Sequence, residues 1–265
     1  MIKVYIDAVG MVAPGLESWA KGRQVLAGEQ PYLAQPLERY KPRLLPPNER
    51  RRATEVVRLA FRACEDAIDN CTLDASTLAG IFASSSGDYI ILDQICRALR
   101  QPEIAVSPTQ FHNSVHNAAA GYWSIATGSH APSTSLAGFD GSFSAGLLEA
   151  ATQVSVEKIP ALLAVYDYPP PPPLFAKRPI QDPFAVCLVL TAEPIETSLA
   201  CLTLYPDTEQ HDESQMQQHA LDRMRLGNPA ARSLPLLEAL ARRNNCKLCF
   251  TSPGGELLIV DITPL

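Results

Sequence analysis

The stretch STSLAGFDGSFSAGLLEAA, Ser133–Ala151, decides how the chain folds. A short apolar run leads into a tight glycine-bearing turn, then into an apolar helix that starts near Asp140. Enzymes often place a nucleophile at such a strand–turn–helix corner, because the helix N-terminus stabilises developing negative charge. A thiol there would have a lowered pKa. This corner carries Phe139 and Asp140 and no cysteine. It is either a site without its nucleophile or a corner that never did chemistry.

Outward from the corner, apolar strands alternate with amphipathic helices. IKVYIDAVG (Ile2–Gly10) is a strand, and LESWAKGRQVLAG a helix ending at Gly28. After a Pro-rich loop, one long helix is predicted over Glu49–Asn70, with Val56, Val57, Leu59, Ala60, Ala63, Cys64 and Ala67 at helical spacing. LAGIFASSS is a buried strand, YIILDQICRALR a helix and FHNSVHNAAAGYWSIATG another. The helix of the opening stretch runs to about Val154. PALLAVYDY, FAVCLVLTAE and LACLTLY are further strands. Helical patterns return at ESQMQQHALDRMR and SLPLLEALARR, before a hairpin CKLCF–SPGG–ELLIVDI. Strands apolar on both sides, alternating with helices, predict an α/β fold with a mainly parallel sheet covered on both faces. The run Pro169–Pro173 is a stiff spacer between two core strands.

The 265 residues, 46% hydrophobic, support one sizeable domain. A formal charge of -6 without a basic face argues against nucleic acid or an anionic membrane surface as partner. The one basic cluster, NERRRATEVVR, is interleaved with acids on a solvated helix. No apolar run is long enough for a membrane span, and no cleavage site follows the N-terminal apolar run, so a cytoplasmic protein is expected. Seven cysteines, an odd number set in apolar patterns, fit reduced thiols. Cys246 and Cys249 form a CxxC with no second ligand pair, so no metal site is expected there. No cofactor motif is present.

Several of these stretches together resemble the N-terminal half of a β-ketoacyl synthase, a condensing enzyme of the thiolase fold. They are VYIDAVGMVAPGLESWAKG, GIFASSSGDY, SPTQFHNSVHNAAAGYWSIATG, the corner, and ALLAVYDY with PFAVCLVLTAEP, spanning about Met1 to Pro194. The third is the most specific. It is similar to short ketosynthase-like proteins of aryl polyene pathways, which resemble chain-length factors, the non-condensing partners of ketosynthases. The resemblance implies a thiolase-like half over residues 1–205 with a mostly parallel five-stranded sheet. A shortened helix–helix–hairpin tail over residues 206–265 would pack on the same domain. It also implies a heterodimer with an active β-ketoacyl synthase in type II polyketide-like or fatty-acid-like polyene synthesis, meeting acyl carrier protein through that complex.

Laying SLAGFDGSFSAG on the family pattern puts Asp140 at the place of the family's cysteine; a one-residue slip puts Phe139 there. The family's two catalytic histidines lie in HGTGT-like and NSFGFGG-like loops, and neither motif is present. After the corner the only histidines are His211 and His219, in a polar helical stretch. The resemblance also places Phe111–Trp123 at the dimer interface, where one subunit shapes the other's acyl pocket. The interface residues would be Phe111, His112, Asn113, His116, Asn117, Ala119, Tyr122 and Trp123.

These residues also have plainer readings. Asp140 is a good helix N-cap, worth about 1 kcal/mol over alanine. His112 and His116, four apart, share one face of a helix, but no HExxH glutamate or third ligand accompanies them. Ser142 or Ser144 would be the nucleophile of a small hydrolase or acyltransferase acting on acyl thioesters. GSFSAG is not the GxSxG elbow, and no base histidine follows in chain order. SSSG at Ser84–Gly87 lacks the lysine of a phosphate loop. A homo-oligomeric acyl-binding module is a third possibility. Without the family's second half, a large apolar face should be exposed unless the tail covers it.

Overall fold

A computed structural model describes residues 1–102, 105–207 and 211–265. In chain order its elements are β1 (Ile2–Val12), α1 (Trp19–Leu26), α2 (Pro47–Arg52), α3 (Glu55–Asp69), β2 (Ala79–Ala83), α4 (Tyr89–Leu99), α5 (Pro108–Asn113), α6 (Ala118–Thr127) and β3 (Ser133–Leu136). They continue with α7 (Ser142–Glu157), β4 (Ala161–Asp167), β5 (Phe184–Thr191), β6 (Ala200–Pro206), α8 (His219–Gly227), α9 (Leu234–Arg242), β7 (Cys246–Thr251) and β8 (Leu257–Pro264).

The strands form one eight-stranded sheet in the order β3-β2-β4-β5-β1-β6-β8-β7. The α/β class stands, but the expected five-stranded, mostly parallel sheet does not. Only β2 pairs in parallel, with β3 and β4. The other five pairings are antiparallel, including β1 with β5 (Tyr5 opposite Thr191) and with β6 (Ile2 opposite Leu204). The β4–β5 connection contains no α-helix, so β5 returns antiparallel instead of crossing over. The final hairpin extends the sheet through β8 on β6.

Helices cover both faces. On one, Phe143, Leu147, Ala151 and Val154 of α7 lie in a single apolar cluster with Ile6, Val165, Leu188 and Val260 of the sheet. The tail joins that cluster through Met224, Leu234, Leu237 and Leu240. The tail therefore helps cover the face expected to lie bare. On the other face α3 and α6 bring Val57, Phe61, Tyr122 and Trp123 over Leu162, Tyr166 and Val189. There α3 rests directly on β1 at Gly10. A Cβ at that position would lie 2.0 Å from the Ala63 carbonyl oxygen and 2.4 Å from the Ala67 nitrogen.

Two predicted helices are each broken in two. The Glu49–Asn70 helix stops at Ala53, and Thr54 turns extended to cap α3, its hydroxyl accepting from Val57 N at 3.3 Å. The Phe111–Gly128 helix breaks after Asn113, where the Ser114 hydroxyl donates to the Phe111 carbonyl at 2.8 Å.

Candidate functional site

Because β2, β3 and β4 are parallel, their C-terminal ends lie side by side, and the loops that follow converge there. Crevices at such strand ends are where α/β sheets hold ligands. Three pieces meet: Ser84–Gly87 after β2, the Gly138–Gly141 turn after β3, and Asp167 at the end of β4.

Asp167 is fully buried. Its Oδ1 accepts from the Ser84 hydroxyl (3.0 Å), the Ser85 N–H (2.9 Å) and the Ser85 hydroxyl (2.8 Å), while Oδ2 has no partner. Burial pushes its pKa up to about 7, against the opposing pull of the two serines and Arg178. SSSG thus wraps a carboxylate. On the outer side of this loop His116 Nε2 lies 3.0 Å from the Ser84 carbonyl oxygen.

At the corner, Phe139–Gly141 form a 3-10 turn and α7 starts at Ser142. Phe139 adopts φ +53, a left-handed conformation rare for a bulky residue. The Arg178 guanidinium lies 3.7 Å from the centre of its ring and donates to Asp140 Oδ1 at 2.7 Å. Asp140 is therefore not the helix cap: the residue before α7 is Gly141, and no side chain caps it. The expected capping fails because Arg178, from the β4–β5 connection, takes the carboxylate. The Ser142 hydroxyl staples the turn, donating to the Phe139 carbonyl (2.8 Å) and accepting from Gly138 N (3.1 Å). The Ser144 hydroxyl sits between the Gly141 (2.9 Å) and Thr251 (2.6 Å) carbonyls. Both serines are buried, and no histidine is hydrogen-bonded to either among the described residues. The β7–β8 turn closes against the corner, since a Cβ at Gly138 would meet Pro253 at 2.8 Å.

The helix break separates His112 from His116. His116 reaches Ser84, whereas the exposed His112 ring stands edge-on to Tyr122, centroids 6.0 Å apart. Their shared zinc-spaced face does not exist, and no metal-holding group of His, Cys, Asp or Glu occurs among the described residues. The eight candidate interface residues divide. Phe111 (68% exposed), His112 and Asn117 face outward, and His116 is half-buried. Asn113, Ala119, Tyr122 and Trp123 are turned inward. The Asn113 amide donates to the Arg52 carbonyl at 3.1 Å, and Trp123 packs edge-on against Phe61 at 5.3 Å. Ala119→Trp is thus expected to act on folding, lowering stability by roughly 1–3 kcal/mol through overpacking. Urea unfolding of the isolated chain checks it.

Sequence reasoning missed Asp167 and Arg178. The only signal was a charged residue closing an apolar strand, in YDY. No helix among the described residues is long and apolar enough to cross a membrane.

Residues 19–253 match the family described as beta-ketoacyl synthase, N-terminal domain. No curated protein matches the chain in sequence. Among solved structures, a chain of the ketosynthase ApeO in complex with its chain length factor ApeC from Xenorhabdus doucetiae superposes with a TM-score of 0.71. It is 23% identical, over 98% of this chain and 100% of that one. A chain of AntDE:AntF, a type II polyketide synthase acyl-carrier protein in complex with its ketosynthase bound to the hexaketide, has a TM-score of 0.76. Identity there is 14%, over 100% and 99% of the two chains. The ishigamide ketosynthase/chain length factor gives 0.72 at 13% identity, covering 100% of both. These likenesses establish the thiolase-like ketosynthase fold.

Proposed function

The chain belongs to the family of β-ketoacyl synthase N-terminal domains, and from that premise we propose that it is a non-catalytic, chain-length-factor-like subunit. It pairs with an active β-ketoacyl synthase in the cytoplasm. There it shapes the site in which that partner extends a polyene chain carried on acyl carrier protein. The partner supplies the nucleophile, the histidines and all bond formation. The full-length likeness in fold to chains of ketosynthase complexes supports this reading.

The observation that carries it is the corner. Acyl transfer needs a nucleophile with a base in hydrogen-bond reach. The corner offers an aromatic ring and a carboxylate held by a guanidinium, beside two hydroxyls that donate to backbone carbonyls. Of the two candidates for the cysteine's place we favour Phe139, because nucleophile elbows put the reacting residue in a strained turn and Phe139 has the positive φ. The residues 1–205 and 206–265 act in this reading as one body, with the tail packed into the same apolar cluster as α7.

The surface we assign to the partner comprises Phe111, His112, His116 and Asn117 with Gly121 and Ile125, the last two exposed on α6. A Cβ at Gly121 would meet open space, so nothing within this chain requires a glycine there. Inside a helix it is unfavourable by roughly 0.5–1 kcal/mol relative to alanine. A partner backbone in close approach would require it. Co-expressed with a tagged ketosynthase from the same source, the wild-type chain is expected to co-purify. Gly121→Trp should break pairing while melting like wild type. Incubation with acyl and malonyl carrier protein should leave the intact mass unchanged. Failure of the wild type to pair, equal pairing by Gly121→Trp, or a stable acyl adduct on Ser142 or Ser144 would overturn the reading.

A further inference from the structure

Away from the corner, a cleft of about 770 Å³ opens between the Pro-rich loop and α3. That size lies within the range of small-molecule sites, roughly 300–1,000 Å³. Its apolar lining is Pro14, Pro36, Leu37, Leu59 and Pro183, with the rings of Tyr40 and Tyr168.

The wall of this cleft is built by two buried charges. Glu65 of α3, 1% exposed, accepts from the Tyr40 hydroxyl, from Arg43 N (3.0 Å) and from Leu44 N (2.9 Å). Tyr40 stays protonated, its pKa pushed up to about 12 by burial and by Glu65. Arg58, 7% exposed, donates to the carbonyls of Ala53 (3.0 Å), Tyr40 (3.1 Å) and Arg50 (2.9 Å). Stripping two ions of water to hold a surface loop is a poor route to stability, since apolar packing would do as well. What it produces is a wall already in its final shape, which lowers the entropic cost of binding.

The polar groups at the rim select the ligand. Arg39 pairs with Glu55 at 3.3 Å, and Arg58 lies 3.9 Å from the same carboxylate. Arg62 makes no ion pair among the described residues. It lies 5.6 Å from the centre of the Tyr40 ring, donates to the Glu38 carbonyl at 3.4 Å and lends some charge to the Asp66 carboxylate. Glu38 and Asp182 also line the cleft. Arg62 is thus the one guanidinium of the rim with no carboxylate within 4 Å among the described residues, a counter-charge for one negative group and none for the second charge of a dianion such as a phosphate monoester. We infer that the cleft binds an amphiphilic monocarboxylate, its hydrocarbon or aryl body along the proline and leucine floor and its carboxylate on Arg62.

This site is independent of pairing with a ketosynthase and is tested on the isolated full-length chain. Titration with dansyl-labelled undecanoic acid, followed by dansyl fluorescence, is expected to show one saturable site. Dodecanoic acid should displace the probe, and dodecanol should need a concentration about tenfold higher or more. Arg62→Glu and Leu37→Asp should each weaken probe binding about tenfold or more, with Arg62→Glu melting like wild type. Absence of saturable binding, displacement by dodecanol as good as by the acid, or unchanged affinity in Arg62→Glu would overturn the proposal.

Discussion

Between about pH 4 and pH 8 the chain is expected to lose roughly 4 kcal/mol of stability that its Asp167→Asn variant keeps. The aspartate carboxyl rises from 3.8 to about 7 because it is fully buried. In the unfolded chain it loses its proton near the lower value; in the fold it holds the proton to the higher one. The stabilising contribution of the neutral carboxyl is therefore fully present below about pH 4. It declines as pH rises and is gone above about pH 7. Asparagine keeps an acceptor for the Ser84 and Ser85 donors and puts an amide where Oδ2 has no partner. Burial also raises Asp7, Asp66 and Asp88, which add a slope of the same sign in both proteins. The gap between the two urea-unfolding curves across this pH range isolates Asp167. Parallel curves would show that Asp167 is ionised within the fold.

Gly10→Ala is expected to destabilise the chain by at least about 3 kcal/mol, while Gly121→Ala raises stability by roughly 0.5–1 kcal/mol. Gly10 is buried in a strand and Gly121 exposed on a helix, and what decides the sign is what a methyl group would meet. At Gly10 it would run into the backbone of α3, which cannot rotate aside as a side chain can. Relief requires lifting the helix off β1 and opening the cluster around Phe61 and Cys64. At Gly121 the methyl meets nothing, and the gain is helix propensity alone. Chemical denaturation of the two variants side by side decides the matter. A Gly10→Ala variant within about 1 kcal/mol of wild type would mean that α3 is seated farther from the sheet.

Most strands were legible because they are apolar runs bounded by glycine, proline or polar turns; β3, Ser-Thr-Ser-Leu and only partly buried, is the exception and was marked by the glycine turn that follows it. Their direction was not. The eight residues Phe184–Thr191 are all buried, as in a parallel strand between helices, yet β5 pairs antiparallel on both sides. Burial on two faces reports the helices above and below the sheet and is silent about strand polarity. The helix breaks were hidden for a different reason. Thr54 and Ser114 are tolerated inside helices, and only their hydrogen bonds mark them as ends. The corner was found by its local pattern, but its chemistry depends on distant chain. Arg178 takes Asp140 from beyond the proline run, and Thr251 takes Ser144 from the last hairpin. Likewise the alanines and aromatics of α6 carry no mark of inward or outward facing. The break at Ser114–Asn117 sets the rotation that buries Ala119, Tyr122 and Trp123.

The position of β1 bears on how the chain is made. It is synthesised before the other seven described strands, yet it lies between β5 and β6, near the middle of the sheet. Its nine consecutive buried residues, Val4–Val12, pair only with segments beginning at Phe184 and Ala200. At translation rates of about 5–20 residues per second, those partners emerge roughly 10–40 s after β1. During that interval the parallel trio β2, β3 and β4 can assemble, while β1 remains an unpaired apolar strand open to other nascent chains. The centre of the sheet thus closes only after a wait set by translation, and shielding of β1 during that wait is expected to raise the yield of folded chain.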